Sequence, residues 1–273
     1  MRNRGSWTVR LVLLSAPLYA SAQWMHYPTP GTPRTREGKP NLTAPAPRGP
    51  DGKPDFRVSG RPNRRRCPNS CPITRTAGSV PPPLGSESIT KYFANILADF
   101  KPQEAPLRPS AVVRTDDPAL QCLPTGMPMF DTHPSPRKFV QTPGLTLILN
   151  EYDNTFRQIF TDGRKLPEDP EPLWLGSSVG RWDGDTLVVD TGGLNGRRSL
   201  DLTGHTHSDQ LRITERFRRT SFGKIELQLT LDDPQTFTKP LTVKFNWVLF
   251  PDTDLLEAFC SENEKDHSHI GAK

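Results

Sequence analysis

No stretch of this chain is apolar for long enough to cross a bilayer as a helix, which takes about 20 residues. The longest candidate, Leu11 to Tyr19, is too short. The Gly-rich phosphate loop and the Gly-x-Ser-x-Gly elbow are missing, which removes P-loop and α/β-hydrolase chemistry from consideration. Gly192-Gly193 follows a strand-like run but opens no helix, so it is not a dinucleotide fingerprint. Cysteine is scarce, with four in 273 residues. Cys67-x3-Cys71 lacks the second pair or nearby histidines that a zinc site uses. A large charge of one sign is also absent. The whole chain carries +5, and loss of Arg2, Arg4 and Arg10 with the N-terminus leaves +2, which is not the footprint of a nucleic-acid binder. The one basic cluster, Arg61 with Arg64 to Arg66, lies in a Pro-rich stretch and reads as solvated.

What is present begins with a secretory signal. Arg2, Arg4 and Arg10 form a basic region, Leu11 to Tyr19 a short apolar core, and Ala20-Ser21-Ala22 a small-residue cleavage site. The expected product is exported, to a periplasm or outside the cell. In an oxidising compartment the four cysteines are expected to pair. The preferred pairing is Cys67–Cys71 as a local loop and Cys122–Cys260 as a tie between the start of the folded region and its last strand.

The organisation follows from composition. Residues 1–22 are the signal, 23–85 a Pro/Gly-rich arm, 86–266 the folded domain and 267–273 a tail holding His267 and His269. The arm buries too little apolar surface to offset its ordering entropy, so it is either disordered or extended over the domain. No internal repeat stands out. Ile89, Tyr92, Phe93, Ile96, Leu97 and Phe100 recur at helical spacing, with Ser86 or Ser88 as N-cap and Pro102 beyond the end. This predicts one docking helix.

From about 138 onward the pattern is β. Strands are expected at 138–142, 145–152, 155–162, 173–182, 186–192, 210–219, 223–231, 240–250 and 254–260, separated by turn chemistry such as Asp183-Gly184. Sequential strands with tight turns form an antiparallel meander, and nine close most economically into a barrel. A two-sheet sandwich is the structural alternative.

Alternation places side chains two apart on one face. Leu211, Ile213 and Phe217 share a face with Glu215, while Arg212, Thr214, Arg216 and Arg218 face water. A carboxylate on an apolar face needs a partner, and His205 and His207 lie just upstream. Three readings stand side by side: a metal site, an acid–base pair, and a structural ion pair between Glu215 and an interior Arg or Lys. Glu215 lies eight residues after His207, farther than the cupin pattern allows. The same face logic puts Glu151 at the end of Leu145-Leu147-Leu149, Gln158 between Phe156 and Phe160, and Trp247 inside, with Arg157 and Tyr152 on the opposite faces as surface residues. Asp190 fits either face.

Trp174-Leu175-Gly176, Val179-Gly180-Arg181-Trp182, Gly184-Asp185-Thr186-Leu187-Val188-Val189 and the block from His205-x-His207 to Thr214-Glu215-Arg216-Phe217 together resemble a family of uncharacterised secreted proteins of soil bacteria. Cys122-Leu123-Pro124, Gln141-Thr142-Pro143-Gly144, Arg157-Gln158-Ile159-Phe160-Thr161-Asp162 and Asp232-Asp233-Pro234 belong to the same pattern, which covers roughly 115 to 266. The resemblance implies secretion and a common fold, and no activity. Two positions depart from it: Asp190 where the family tends to carry Glu, and Ser199 where Trp is usual. Trp182-Asp183-Gly184-Asp185 is similar in style to lipocalin-like barrels, at the level of fold alone.

The expectation is therefore a mainly β, lipocalin-like barrel with one N-terminal helix. It binds a small apolar ligand in its lumen through Glu151, Gln158, Trp174, Asp190 and Trp247. The alternative is an isomerase, lyase or cyclase using Glu215 with His205 or His207. A third is a cell-envelope interaction protein with a filled barrel. No cofactor, metal, nucleic acid or membrane span is expected.

Overall fold

A computed structural model describes residues 28–57, 59–62, 90–114 and 123–258. The signal 1–22, the caps Ser86 and Ser88, all four cysteines and the tail lie outside them.

The protein is mainly β. Nine strands follow in sequence around a closed barrel: β1 (Ser59–Pro62), β2 (Arg137–Thr142), β3 (Leu145–Asn150), β4 (Phe156–Phe160), β5 (Ser177–Asp183), β6 (Thr186–Gly192), β7 (Arg212–Ser221), β8 (Lys224–Asp232) and β9 (Leu241–Leu249). The tight connections use the expected turn chemistry. Pro143-Gly144 joins the β2–β3 pair, Gly184-Asp185 the β5–β6 pair and Phe222-Gly223 the β7–β8 pair.

The ring differs from a pure antiparallel meander in two places. First, the ninth strand comes from the arm rather than from the C-terminus. β1 pairs with both β2 and β9 and closes the ring that β2 to β9 begin. Residues 254–258, expected to be a strand, cross the outer face instead. Asp252, with φ 59°, turns the chain, and Lys138 holds Asp254 at 2.7 Å. Second, β4 and β5 are parallel, joined only by Ile159–Ser178 and Phe160–Val179. By contrast, β7 and β8 stay paired from Arg212–Asp232 to Ser221–Lys224. Parallel neighbours need a crossover, supplied here by 161–176, which is why the strand expected from 173 begins at Ser177.

The expected helix is shorter than its apolar stripe. α1 spans Thr90–Ala94. The Ile96 N–H donates to Asp201 at 2.7 Å, and the Leu97 N–H donates to the Asn95 side chain at 2.8 Å. These bonds draw the backbone away from helical pairing. Its apolar residues still serve the core, since Tyr92, Ile96 and Leu97 are buried. A second, unexpected turn of helix, α2 (Met129–Thr132), is fully buried beside α1.

The arm contains a duplication that sequence inspection missed. Pro33–Leu42 and Pro47–Phe56 repeat the pattern Pro-Arg-x-x-Glu/Asp-Gly-Lys-Pro-Asn/Asp-Leu/Phe. The two loops make equivalent bonds. Thr35 and Gly49 donate to the Lys39 and Lys53 carbonyls at 2.8 Å in both cases, and Gly38 and Gly52 turn at φ 78° and 74°. That left-handed backbone favours glycine. Arg34 and Arg48 donate to the Gly38 and Gly52 carbonyls and reach on to Asp252, just after β9, and Asp185, in the β5–β6 turn. Five of the ten positions differ between the repeats, and proline and glycine are dense throughout the arm, which hides the period. The second loop ends in Phe56, which is wholly buried and stacks against Phe139 and Trp182 with ring centroids 5.3 and 5.8 Å away.

The interior is packed with side chains. Phe139, Phe217 and Trp247 form a mutual cluster with centroids 5.6 to 5.8 Å apart. Ile148, Ile159, Leu187, Val189, Ile213 and Leu229 fill the rest. A cavity of about 10 Å³ lies beside Arg137, Arg219 and Trp247, no roomier than one water requires.

The faces of β7 and β9 are as expected, and those of β3 and β4 are reversed. Thr146, Ile148 and Asn150 point inward, as do Arg157 and Ile159, while the leucines and Gln158 point outward. The physical reason is Arg157, which finds its carboxylate inside the barrel. Register then carries Ile148, its cross-strand partner, to the same face. The outer face is left with Leu145, Leu147 and Leu149 beside Phe160 and a 58 % exposed Phe156.

Candidate functional site

Glu215 is wholly buried, and its partner is Arg157. Arg157 Nη1 donates to Glu215 Oε1 at 2.7 Å, and Nη2 donates to Oε2. The same guanidinium donates from Nη2 to Thr191 Oγ1 at 2.7 Å and from Nε to Ser178 Oγ at 3.1 Å. One side chain on β4 thus grips β5, β6 and β7 across the seam where β4 and β5 share only two pairs. Burial opposes the Arg157 charge, but Glu215 and Asp131 outweigh that effect and raise its pKa.

Asp131, on α2, completes the cluster. It is fully buried, neither of its oxygens receives a hydrogen bond, and Arg157 Nη1 lies 3.9 Å away. Burial, followed by repulsion from Glu215, pushes its pKa well above the carboxylate range. Burial and the neighbouring Glu215 thus both favour the uncharged form of the Asp131 carboxyl. Arg137 sits on the other side, fully buried, with its guanidinium carbon 4.7 Å from the Trp247 ring. It donates to the Phe130 and His133 carbonyls. Burial lowers its pKa to about 10, against the pull of Asp131. Trp247 Nε1 donates to the Asp131 carbonyl at 3.3 Å.

The sign of the pH dependence follows. Folded Asp131 keeps a proton that the unfolded chain releases near the ordinary value of 3.8. Its contribution is intact below that value and is lost as pH rises through the folded pKa. Between the two, stability falls by about 1.4 kcal/mol for each step of one in pH. Urea unfolding across pH 4 to 9 is expected to show this decline. Asp131→Asn, which removes the titrating carboxyl at nearly constant shape, is expected to flatten it. An unchanged slope in the variant would assign the decline to another group.

The two histidines belong to a different network. His205 Nδ1 lies 2.7 Å from Asp201 Oδ2, and Asp201 also accepts from Gly204 N at 3.0 Å and Thr203 Oγ1 at 2.8 Å. His207 donates from Nδ1 to the Ser208 carbonyl at 2.8 Å. Burial lowers its pKa, with Ser208 and Asp233 pulling the other way, so its ring is neutral at physiological pH. Asp233 accepts from Ser208 N and Oγ, both at 2.7 Å, and from Thr236. These bonds staple the loop before β7 to the β8–β9 connection and to the chain after α1. Neither histidine bonds Glu215. Among the described residues no group of three or more His, Cys, Asp or Glu is placed to hold a metal ion.

The remaining expected residues are dispersed. Trp247 alone joins Glu215 in the cluster. Gln158 faces outward, and Asp190 lies on the outer face of β6, accepting from Thr214 Oγ1 at 2.9 Å and pairing with Arg181. Trp174 is half-buried in the loop before β5, where its carbonyl accepts from Met127 N. Glu151 accepts from Leu256 N at 2.9 Å and borders a groove of about 340 Å³ with His133 and Tyr152. Asp131, Arg157 and Arg137 escaped sequence reading. Asp131 did carry a signal, because it ends the apolar run Met127 to Phe130 as Glu215 interrupts its own strand.

The rim beside Phe56 holds a larger opening. A groove of about 480 Å³ runs between the second arm loop and the β2–β3 turn. Trp182, Pro50, Pro54 and Pro143 supply its apolar wall, while Gln141 and Thr161 are among its polar residues. No family model, curated protein or solved structure matches the chain.

Proposed function

We propose that this is an exported binding protein that holds a small amphipathic molecule in the rim groove. The observation that carries the reading is the contrast between a packed interior and a rim groove of about 480 Å³ walled by Trp182, within the range of roughly 300–1,000 Å³ common for ligand sites. The ligand's apolar face lies on the indole and prolines. Its polar groups meet Gln141, Thr161 and the charged residues of the arm loop. Catalysis is not part of this reading, because the buried carboxyl pair is shut off from the surface.

Native mass spectrometry of protein purified from its own producer tests the proposal. The expected result is a small-molecule adduct that is lost in Trp182→Ala and in Thr142→Arg, whose long side chain fills the groove without touching the core. Retention of the adduct in both variants would overturn the assignment, as would its absence from the wild type. The outward Leu147, Leu149 and Phe156 favour a second reading, an interaction protein of the cell envelope. A protein adduct that depends on Phe156 is the outcome that supports it.

A further inference from the structure

The outer faces of β7, β8 and β9 carry a second polar array, whose groove shares no lining residue with the one at the rim. Register fixes its rows. Thr214, Thr230 and Thr242 stand side by side, then Arg216, Gln228 and Lys244, then Arg218, Glu226 and Asn246. Thr230 and Thr242 share a hydrogen bond of 2.9 Å. The second and third rows, with Lys224, line a groove of about 560 Å³.

Its charge is unbalanced. Arg216 pairs with Asp183 and Lys224 with Glu226, at 2.7 and 2.9 Å. Arg218 and Lys244 are exposed, and neither makes a close ion pair among the described residues; the nearest influence on Arg218 is Asp185, which Arg48 already holds. Strand geometry sets the cations about 7 Å apart along β7 and about 10 Å apart from β7 to β9, with amides and hydroxyls between.

We infer that this face binds an anionic polysaccharide, a chain of sugar rings bearing carboxylates or sulfates. The cations meet the anions, and the threonine, glutamine and asparagine groups meet the hydroxyls between them. A single-stranded nucleic acid fits poorly, since its binding relies on aromatic platforms for base stacking. Among the described residues that line this groove the one aromatic, Phe245, has its side chain buried. A membrane surface fits poorly too, because the rows offer nothing apolar to insert.

Isothermal titration of the full chain with polygalacturonate, neutral dextran and oligodeoxythymidylate tests this. Binding is expected for polygalacturonate alone and weakens with added salt, as exposed charges are screened within about 10 Å at 0.1 M. Arg218→Glu with Lys244→Glu is expected to weaken it at least tenfold. Lys39→Glu with Lys165→Glu changes net charge equally at exposed sites elsewhere and is expected to leave it intact. Trp182→Ala is expected to leave it intact as well, which separates this site from the rim groove. No binding to polygalacturonate overturns the inference, as does equal loss in the charge-matched control. Equally tight binding of the oligonucleotide overturns the polysaccharide assignment.

Discussion

Arg157→Leu is expected to destabilise the fold by about 3–5 kcal/mol, the usual cost of breaking a buried ion pair by removing one partner. Glu215 would be left without its cation beside a second buried carboxyl, Asp131. Ser178 and Thr191 would lose the donor that ties β5 and β6 to β4. The seam these bonds cross has just two register pairs to fall back on. Urea unfolding at pH 7 measures the effect. The double variant Arg157→Met with Glu215→Leu is expected to recover most of the loss, because paired apolar replacements of buried ions are often neutral or stabilising. A single-variant loss under about 1 kcal/mol, the level of a surface pair, would mean that the cluster does not staple the seam.

Phe56→Ala is expected to cost a similar amount, about 3–5 kcal/mol, by the precedent of buried aromatics truncated to alanine. The ring has no exposed surface and stacks between Phe139 and Trp182, so its removal leaves a cavity at the barrel mouth. Its backbone N–H also donates to the Gln141 side chain. Arg219, buried beneath it with a pKa lowered by burial to about 10, donates to the Asp55 carbonyl next door. The second loop of the arm is thus part of the folded core rather than an appendage. A second readout keeps the test sharp: Trp182 fluorescence is expected to shift to the red as the indole loses its cover. A change below about 1 kcal/mol with no spectral shift would show that the arm merely rests on the rim.

Much of the barrel was legible in local pattern. β7 and β9 alternate strictly, and their turns carry Gly or Pro where the backbone requires it, so strand, face and the inward Glu215 and Trp247 all follow from period two. β3 and β4 misled for the same reason that β7 did not. Leu145, Leu147 and Leu149 are the more apolar set, yet Arg157 must meet Glu215 across the interior. A buried guanidinium with four bonds outweighs three leucines that remain half-covered outside. The helix was over-read because Asp201, more than a hundred residues away in sequence, takes the Ile96 N–H.

The histidines show the limit of proximity in sequence. His205 and His207 stand close to Glu215 along the chain, but Asp201 and the Ser208 carbonyl are nearer in space and claim their Nδ1 atoms. By itself the sequence determined fold class, strand order from β2 to β9, the turns and the presence of one inward carboxylate. These depend on periodicity and on glycine and proline geometry, which act over a few residues. Only the tertiary structure decided the rest: the closing strand drawn from the arm, the parallel seam, the Asp131–Glu215–Arg157 cluster and the grooves on the rim and outer face. Each of these joins residues far apart in the chain, where a hydrogen bond or a charge selects its partner by distance in space.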